Sequence, residues 1–191
     1  MEAFLISTGI VAIAEIGDKT QLLSLLLAAR FRRPWPIVLG ILAATLANHA
    51  AAGAVGNWLA GLLGGQGLRW AVGLSFLAVA GWALIPDKLD AEEGAPKAGW
   101  GAFTATLVSF FLAEIGDKTQ VATVMLATQF HGLAWVVLGT TLGMMLANVP
   151  AVMLGHAAGA RFALSWVRYV AAGLFALMGA LVLAGMEFKF W

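Results

Sequence analysis

The sequence predicts an all-α, polytopic membrane protein with six transmembrane helices, arranged as two inverted repeats of three helices each. Three observations lead to this fold class. Apolar residues make up 61% of the chain and charged residues only 11%, whereas soluble domains average about 45–50% and about 25%. The apolar residues form blocks of roughly the 20 residues that cross a bilayer. A charged hexapeptide also occurs twice, once in each half of the chain.

Six apolar segments account for most of the chain. They cover residues 4–29, 35–63, 68–85, 101–128, 133–159 and 162–186. Tryptophans lie near most segment ends, where indole rings favour the membrane interface. The polar stretch 87–98 is the only candidate linker, and it divides the chain into a first three-helix repeat, 1–86, and a second, 99–191. The N-terminus lacks the basic start of a signal peptide, so the first segment is expected to remain as a transmembrane helix.

Composition and missing motifs exclude several function classes. The net charge is +1 and there is no basic stripe, so no nucleic-acid partner is expected. The absence of cysteine excludes disulfides, thiolate metal sites and cysteine nucleophiles. Neither a Gly-x-Ser-x-Gly nor a His-Glu-x-x-His motif is present, so the sequence gives no support for an enzyme.

The two halves of the chain repeat at one constant offset. Residues 14–21 recur as residues 113–120, which is an offset of 99. The same offset pairs Gly40 with Gly139, Gly56 with Gly155 and Phe76 with Phe175. A single register over such a length indicates duplication. Because each repeat has an odd number of helices, the second must enter the membrane inverted, an architecture common among secondary transporters.

Basic residues in the short loops predict the orientation in the membrane, since cytoplasmic loops are enriched in Lys and Arg. One side collects Arg30, Arg32, Arg33, Lys88, Lys97 and Arg161. The other side has Arg69 and Lys189. The first side should therefore be cytoplasmic, and both termini should lie outside.

The duplicated hexapeptide Glu-Ile-Gly-Asp-Lys-Thr places ionisable groups at membrane depth. They are Glu15, Asp18 and Lys19 in the first segment, and Glu114, Asp117 and Lys118 in the fourth. A charge at the bilayer centre costs about 2.5–3.5 kcal/mol, so these groups must pair, bind protons or bind an ion. On a continuous helix, the three charges of one copy would project within an arc of about 100°. Two facing copies would leave two uncompensated negative charges, which one divalent cation would neutralise.

All candidate ligands in the two motifs are oxygen atoms. The carboxylates of Glu15, Asp18, Glu114 and Asp117 are the predicted cation-binding and proton-coupling groups. Their neighbours Thr20, Gln21, Thr119 and Gln120 are supporting oxygen donors. Ca²⁺, Mn²⁺ and Mg²⁺ prefer such ligands, whereas Zn²⁺ and Cu more often recruit His or Cys. Because a proton and a cation compete for the same carboxylate oxygens, this site has the minimal chemistry of an exchanger.

Glycine and lysine in the motif each have two interpretations. Gly17 and Gly116 either allow close helix packing or break the helix. The first segment would be about 39 Å long as one helix, longer than the roughly 30 Å hydrocarbon core, so it should be tilted or broken. Lys19 and Lys118 either act as counter-ions to the carboxylates or extend toward an interface.

Three further polar residues lie within the second and fifth segments: Asn48, His49 and Asn148. They either support the site and relay protons, or make the interhelical hydrogen bonds that polar groups commonly form in membranes.

These residues resemble the GDT family of membrane cation transporters. The family signature, Glu-x-Gly-Asp-(Lys/Arg)-(Thr/Ser), occurs once in each of two three-helix repeats, and residues 15–20 and 114–119 match it in full. The resemblance implies Ca²⁺/Mn²⁺–proton exchange, with the four motif carboxylates as cation ligands and proton carriers. It also implies a compact member of the prokaryotic plasma (inner) membrane, because the targeting segment and long central loop of some eukaryotic members are missing.

The leading prediction is therefore a secondary transporter that exports Mn²⁺, Ca²⁺ or both in exchange for protons. Export of an amino acid or another small solute, and a cation channel, remain as alternatives. No resident cofactor is expected, because the cation is the substrate. The predicted partners are the cation, protons and the lipid bilayer, and the oligomeric state is left open, a homodimer included.

Overall fold

The computed structural model describes residues 1–63, 65–85, 99–130, 132–157 and 167–185. Every regular element in these ranges is an α-helix. The eight helices are α1 (Glu2–Glu15), α2 (Lys19–Phe31), α3 (Pro34–Leu62), α4 (Gln66–Ala83), α5 (Ala102–Glu114), α6 (Lys118–Gln129), α7 (Leu133–Ala157) and α8 (Val167–Leu183). The predicted linker, 87–98, lies outside the described residues, as do Lys88, Lys97, Arg161 and Lys189.

The helices correspond to the six predicted segments, with one systematic difference. The first segment contains α1 and α2, and the fourth contains α5 and α6. A continuous helix through either motif, which would have placed its three charges on one face, is therefore wrong. The break falls at the motif in both halves.

Two of the helices are long and apolar enough to cross a bilayer by length and composition alone. They are α3 and the Leu133–Gly155 part of α7. α3 begins at Pro34, where the missing backbone N–H of proline costs no helical hydrogen bond. α7 continues through Pro150. The other described helices are shorter or less apolar.

The distribution of charged side chains is unlike that in a soluble protein. Charged groups of both motifs lie in the interior, where Glu15 and Glu114 are fully buried. Many large apolar side chains lie on the surface, and Leu39 and Leu146 are each 54% exposed. A surface of leucine around buried carboxylates fits lipid rather than water as the surrounding solvent.

The broken helices of one half pack along the long helix of the other half. α1 and α2 lie against α7, while α5 and α6 lie against α3. α3 also contacts α7, and α4 contacts α8, where the rings of Phe76 and Phe175 stack with centroids 6.4 Å apart. Exchanging the two halves leaves this set of major contacts unchanged. The halves are therefore interleaved, which brings their motifs together.

Glycine permits the closest of these helix contacts. A Cβ atom added to Gly139 of α7 would lie 2.5 Å from the carbonyl oxygen of Phe4 and 3.0 Å from Cβ of Ser7, both on α1. A Cβ atom added to Gly40 of α3 would lie 2.8 Å from Cβ of Thr106 on α5. The offset of 99 relates the two contacts, because it pairs Gly40 with Gly139 and Ser7 with Thr106.

Gly139→Ala should destabilise the protein. The added methyl group would collide with backbone that cannot move independently, and such overpacking typically costs about 1–3 kcal/mol. Gly173→Ala is the matched control, because nothing lies within 4 Å of a Cβ atom at that helical position. It should leave the melting temperature of the detergent-solubilised protein unchanged or slightly higher, whereas Gly139→Ala should lower it. Equal melting temperatures would contradict the close α1–α7 contact.

Candidate cation site

The first copy of the motif forms a tight turn between α1 and α2. Ile16 has φ −67° and ψ 116°, and Gly17 has φ +83°. The backbone N–H of Asp18 donates to the carbonyl oxygen of Glu15 at 3.1 Å. These are the dihedrals and the hydrogen bond of a type II β-turn, whose third residue needs positive φ and therefore favours glycine.

The second copy forms the same turn between α5 and α6. Ile115 has φ −65° and ψ 119°, and Gly116 has φ +74°. The N–H of Asp117 donates to the carbonyl oxygen of Glu114 at 3.2 Å. The sequence Glu-Ile-Gly-Asp thus specifies a turn rather than the interior of a helix. Each glutamate ends one helix and each aspartate precedes the next.

Side chains of the motif satisfy the backbone groups that the turn exposes. Oδ2 of Asp18 accepts the N–H of Thr20 at 3.4 Å, and Oε1 of Gln21 accepts the N–H of Gly17 at 2.9 Å. In the second copy the corresponding bonds measure 3.2 Å and 2.8 Å. Unsatisfied backbone groups are costly in lipid, so these bonds stabilise the break. The glutamine oxygens, predicted as supporting donors, are engaged with the backbone.

Three carboxylates from the two halves converge at the turns. Glu15, Glu114 and Asp117 each place an oxygen atom within 4.8 Å of the others. All three residues are buried. Carboxylate oxygens at this spacing can bind one divalent cation together. Asp18, the fourth predicted ligand, is not part of this group of three.

Threonine hydroxyls position these carboxylates. Oγ1 of Thr20 donates to Oε2 of Glu15 at 2.6 Å. Oγ1 of Thr119 lies 3.1 Å from Oδ2 of Asp117 and 3.5 Å from Oε2 of Glu114. The other oxygen of Glu114, Oε1, has no hydrogen-bond partner among the described residues, although the side chain is fully buried. A buried oxygen of this kind needs a ligand or a proton.

The two lysines form ion pairs that cross between the halves. Nζ of Lys19 lies 4.0 Å from Oδ1 of Asp117, and Nζ of Lys118 lies 4.0 Å from Oδ1 of Asp18. This arrangement favours the counter-ion interpretation of the lysines. Four motif carboxylates face two ammonium groups, so two negative charges remain for protons or a divalent cation to neutralise.

The polar residues of the long helices are arranged less symmetrically. Nδ2 of Asn48 donates to the carbonyl oxygen of Phe111 at 3.1 Å, and Oδ1 of Asn148 accepts from Oγ of Ser24 at 2.7 Å. Both bonds join a long helix to a broken helix of the other half. His49 occupies the position that corresponds to Asn148. Its ring nitrogens are buried and have no hydrogen-bond partner among the described residues.

Two residues near the site escaped prediction from the sequence. Ser24 contacts Asn148, and the ring of Trp82 lies 6.0 Å from Nζ of Lys118. The N-cap pattern of the motif indicates that a helix starts there, and Ser24 follows Thr20 by four residues. The two side chains therefore share a helix face. No local signal connects Trp82 to the motif, because the contact depends on how α4 packs against α6.

Comparisons with known proteins agree with a site for a divalent cation. The sequence model of the family described as "Divalent cation/proton antiporter GDT1" matches residues 3–91 and 102–189. A Vibrio cholerae protein named "Putative manganese exporter" is 54% identical over 93% of this chain and 88% of its own length. A Synechocystis protein named "GDT1-like protein sll0615" is 28% identical over 93% and 94%. A rice protein, "GDT1-like protein 4", is 28% identical over 81% of this chain and 63% of its own length. No solved structure matches the chain.

Proposed function

The chain belongs to the GDT1 family of divalent cation/proton antiporters, and from this premise we propose that it exports Mn²⁺, Ca²⁺ or both in exchange for protons. It is a membrane transporter and not an enzyme. The proposed location is the plasma (inner) membrane of a prokaryote, with export directed out of the cytoplasm.

One observation carries the proposal. Glu15 from the first half and Glu114 and Asp117 from the second present oxygen atoms within 4.8 Å of one another in a buried site. Neither half alone supplies three such oxygen ligands in this arrangement. A cation bound there would hold both halves together, so its binding and release would depend on how the halves meet.

Proton exchange follows from the chemistry of the same oxygens. Without a cation, buried carboxylates this close repel one another unless protons or lysines neutralise them. A divalent cation satisfies them instead and excludes the protons. A carrier that exposes the site alternately to the two sides, loaded with protons in one direction and a cation in the other, couples the two gradients.

The proposed topology has six membrane spans in two inverted repeats, 1–86 and 99–191, with both termini outside. The exchange symmetry of the major helix contacts and the two stretches matched by the family support the division. In this topology α1 with α2, and α5 with α6, would each form one broken span. Broken spans are typical where a transporter binds its substrate near the midplane.

Mn²⁺ is the first substrate to test, followed by Ca²⁺. The three clustered ligands are all carboxylates, which suit both ions. The name of the Vibrio cholerae relative specifies manganese. Both ions carry two positive charges, so the carboxylates do not distinguish them by charge. Selectivity is measured by comparing transport of the two ions.

The test is transport by purified protein in liposomes with an imposed pH gradient. Mn²⁺ or Ca²⁺ should move against the direction of proton flow, recorded with a cation-sensitive and a pH-sensitive dye in parallel. A proton ionophore that collapses the gradient should stop the net cation movement that the gradient drives. Protein-free liposomes are the control.

Two outcomes would overturn the proposal. Movement of neither cation would exclude the proposed substrates. Cation conductance that is unaffected by collapse of the pH gradient would indicate a channel instead of an exchanger.

A further inference from the structure

We propose that Lys19 competes with the transported cation for the carboxylate of Asp117, with which it forms an ion pair. Lys118 does not share this role. The inference rests on the proposed function, because it concerns the same site. Two lysines at equivalent positions of the duplicated motif thus have different roles.

Local helix stability does not explain the lysines. Lys19 and Lys118 are the first residues of α2 and α6. A positive charge at a helix N-terminus is unfavourable, because the helix dipole is already positive there. Their positions are better explained by the ion pairs that they form with aspartates of the opposite half.

Asp117 is the residue at which lysine and cation compete. Its carboxylate belongs to the cluster with Glu15 and Glu114, and the same carboxylate lies 4.0 Å from Nζ of Lys19. A divalent cation bound to the cluster would lie close to this ammonium group, and two cations at such a distance repel strongly in a buried site. Binding of the cation therefore requires Lys19 to leave Asp117.

The pair formed by Lys118 and Asp18 is different. Asp18 is not one of the three clustered carboxylates. The side chain of Lys118 is 7% exposed, compared with 17% for Lys19, and its ammonium lies 6.0 Å from the ring centre of Trp82, where a cation is attracted. The offset of 99 places Leu181 at the position that corresponds to Trp82, so Lys19 has no indole at the equivalent position of the part of the chain that the structure describes. Lys118 is thus held in place while Lys19 is positioned to move.

Release of Lys19 also has a mechanical consequence. The ion pair of Lys19 with Asp117 joins the N-terminus of α2 to the N-terminus of α6. When the cation replaces the lysine, this direct link between the halves is lost and the cation takes its place. Cation binding would therefore change what connects the two halves at the moment when the carrier has to reorient.

The test measures Mn²⁺ binding to the purified full chain by the loss of the electron paramagnetic resonance signal of free Mn²⁺. Lys19→Gln should lower the Kd for Mn²⁺ about tenfold, as expected for removal of one competing ion pair. Lys19→Met should do the same, and Lys19→Arg, which keeps the competing charge, should not lower the Kd. Each variant is first shown to elute as a single species in size-exclusion chromatography.

Lys118→Gln is the matched comparison. It removes one positive charge from the same region, so it should tighten binding only by the general electrostatic effect, about twofold. Equal tightening by Lys118→Gln and Lys19→Gln would overturn the unequal roles, and an unchanged Kd in Lys19→Gln would overturn the competition. If the parent showed no saturable Mn²⁺ or Ca²⁺ binding, the proposed function would fail and this inference with it. Transport by the parent with an unchanged Kd in Lys19→Gln would refute this inference alone.

A second measurement uses the parent protein and needs no variant. An amine-reactive reagent, followed by mass spectrometry of peptides, reports how accessible each lysine is. Adding Mn²⁺ or Ca²⁺ should increase labelling of Lys19 several-fold relative to Lys118. A decrease, or no change in that ratio, would contradict displacement of Lys19 by the cation.

Discussion

Glu114→Gln should abolish cation transport while the protein remains folded. Glu114 is fully buried, contributes one of the three clustered carboxylates and has one oxygen without a hydrogen-bond partner among the described residues. Glutamine keeps the size of the side chain and can still accept from Thr119, but it supplies no negative charge. Loss of a residue that merely supports a metal ligand costs about 10–100-fold in affinity or activity, so loss of this carboxylate should cost at least about 100-fold.

Glu2→Gln is the control for this change. It makes the same chemical substitution in the first turn of α1, far along the helix from the motif residue Glu15. It should transport in liposomes at the rate of the parent. Mn²⁺ binding and thermal unfolding, measured on both variants, separate loss of the site from loss of the fold. Transport by Glu114→Gln at the parental rate would show that this carboxylate is not needed and would remove the central support for the proposed site.

Much of the fold follows from the sequence, because the requirement for apolar length acts locally. The predicted segments 35–63 and 133–159 correspond closely to α3 and α7. The helix break could also be predicted as one of two possibilities, because the length of the first segment indicates that it is tilted or broken. Of the two interpretations of Gly17 and Gly116, close helix packing or a break, the structure confirms the break. The order Asp-x-x-Gln after a glycine is a helix-start pattern, and it accounts for the turn.

The spatial arrangement of the charged groups could not be predicted from the sequence. Helical spacing grouped Asp18 with Glu15, whereas the cluster in the structure joins Glu15 with Glu114 and Asp117 of the other half. Which lysine meets which aspartate depends on the packing of α2 and α6 across the two halves. A constant offset of 99 residues predicts that such contacts come in related pairs. It does not predict that each lysine pairs with the aspartate of the other half. Nor does it predict that the ion pair of Lys19 involves a carboxylate of the cluster, whereas that of Lys118 does not.

Cross-linking α2 to α7 should stop transport reversibly. Ser24 and Asn148 lie at the contact between these helices, with Oγ and Oδ1 only 2.7 Å apart. The helices belong to different halves, and alternating access requires one half to move against the other. In the double variant Ser24→Cys/Asn148→Cys, a short bifunctional thiol reagent should join the two cysteines and reduce Mn²⁺ transport more than about tenfold, because the carrier can then reach only one orientation.

The chain contains no cysteine of its own, so the reagent can act only at the introduced residues. Ser24→Cys and Asn148→Cys alone, treated in the same way, reveal any effect of the substitutions or of single modification. A reductant that cleaves the cross-link should restore transport in the double variant to its rate before treatment. Undiminished transport by fully cross-linked protein would mean that α2 and α7 move together, and the moving boundary would then have to lie elsewhere, with the contact of α3 and α6 as the related site to test.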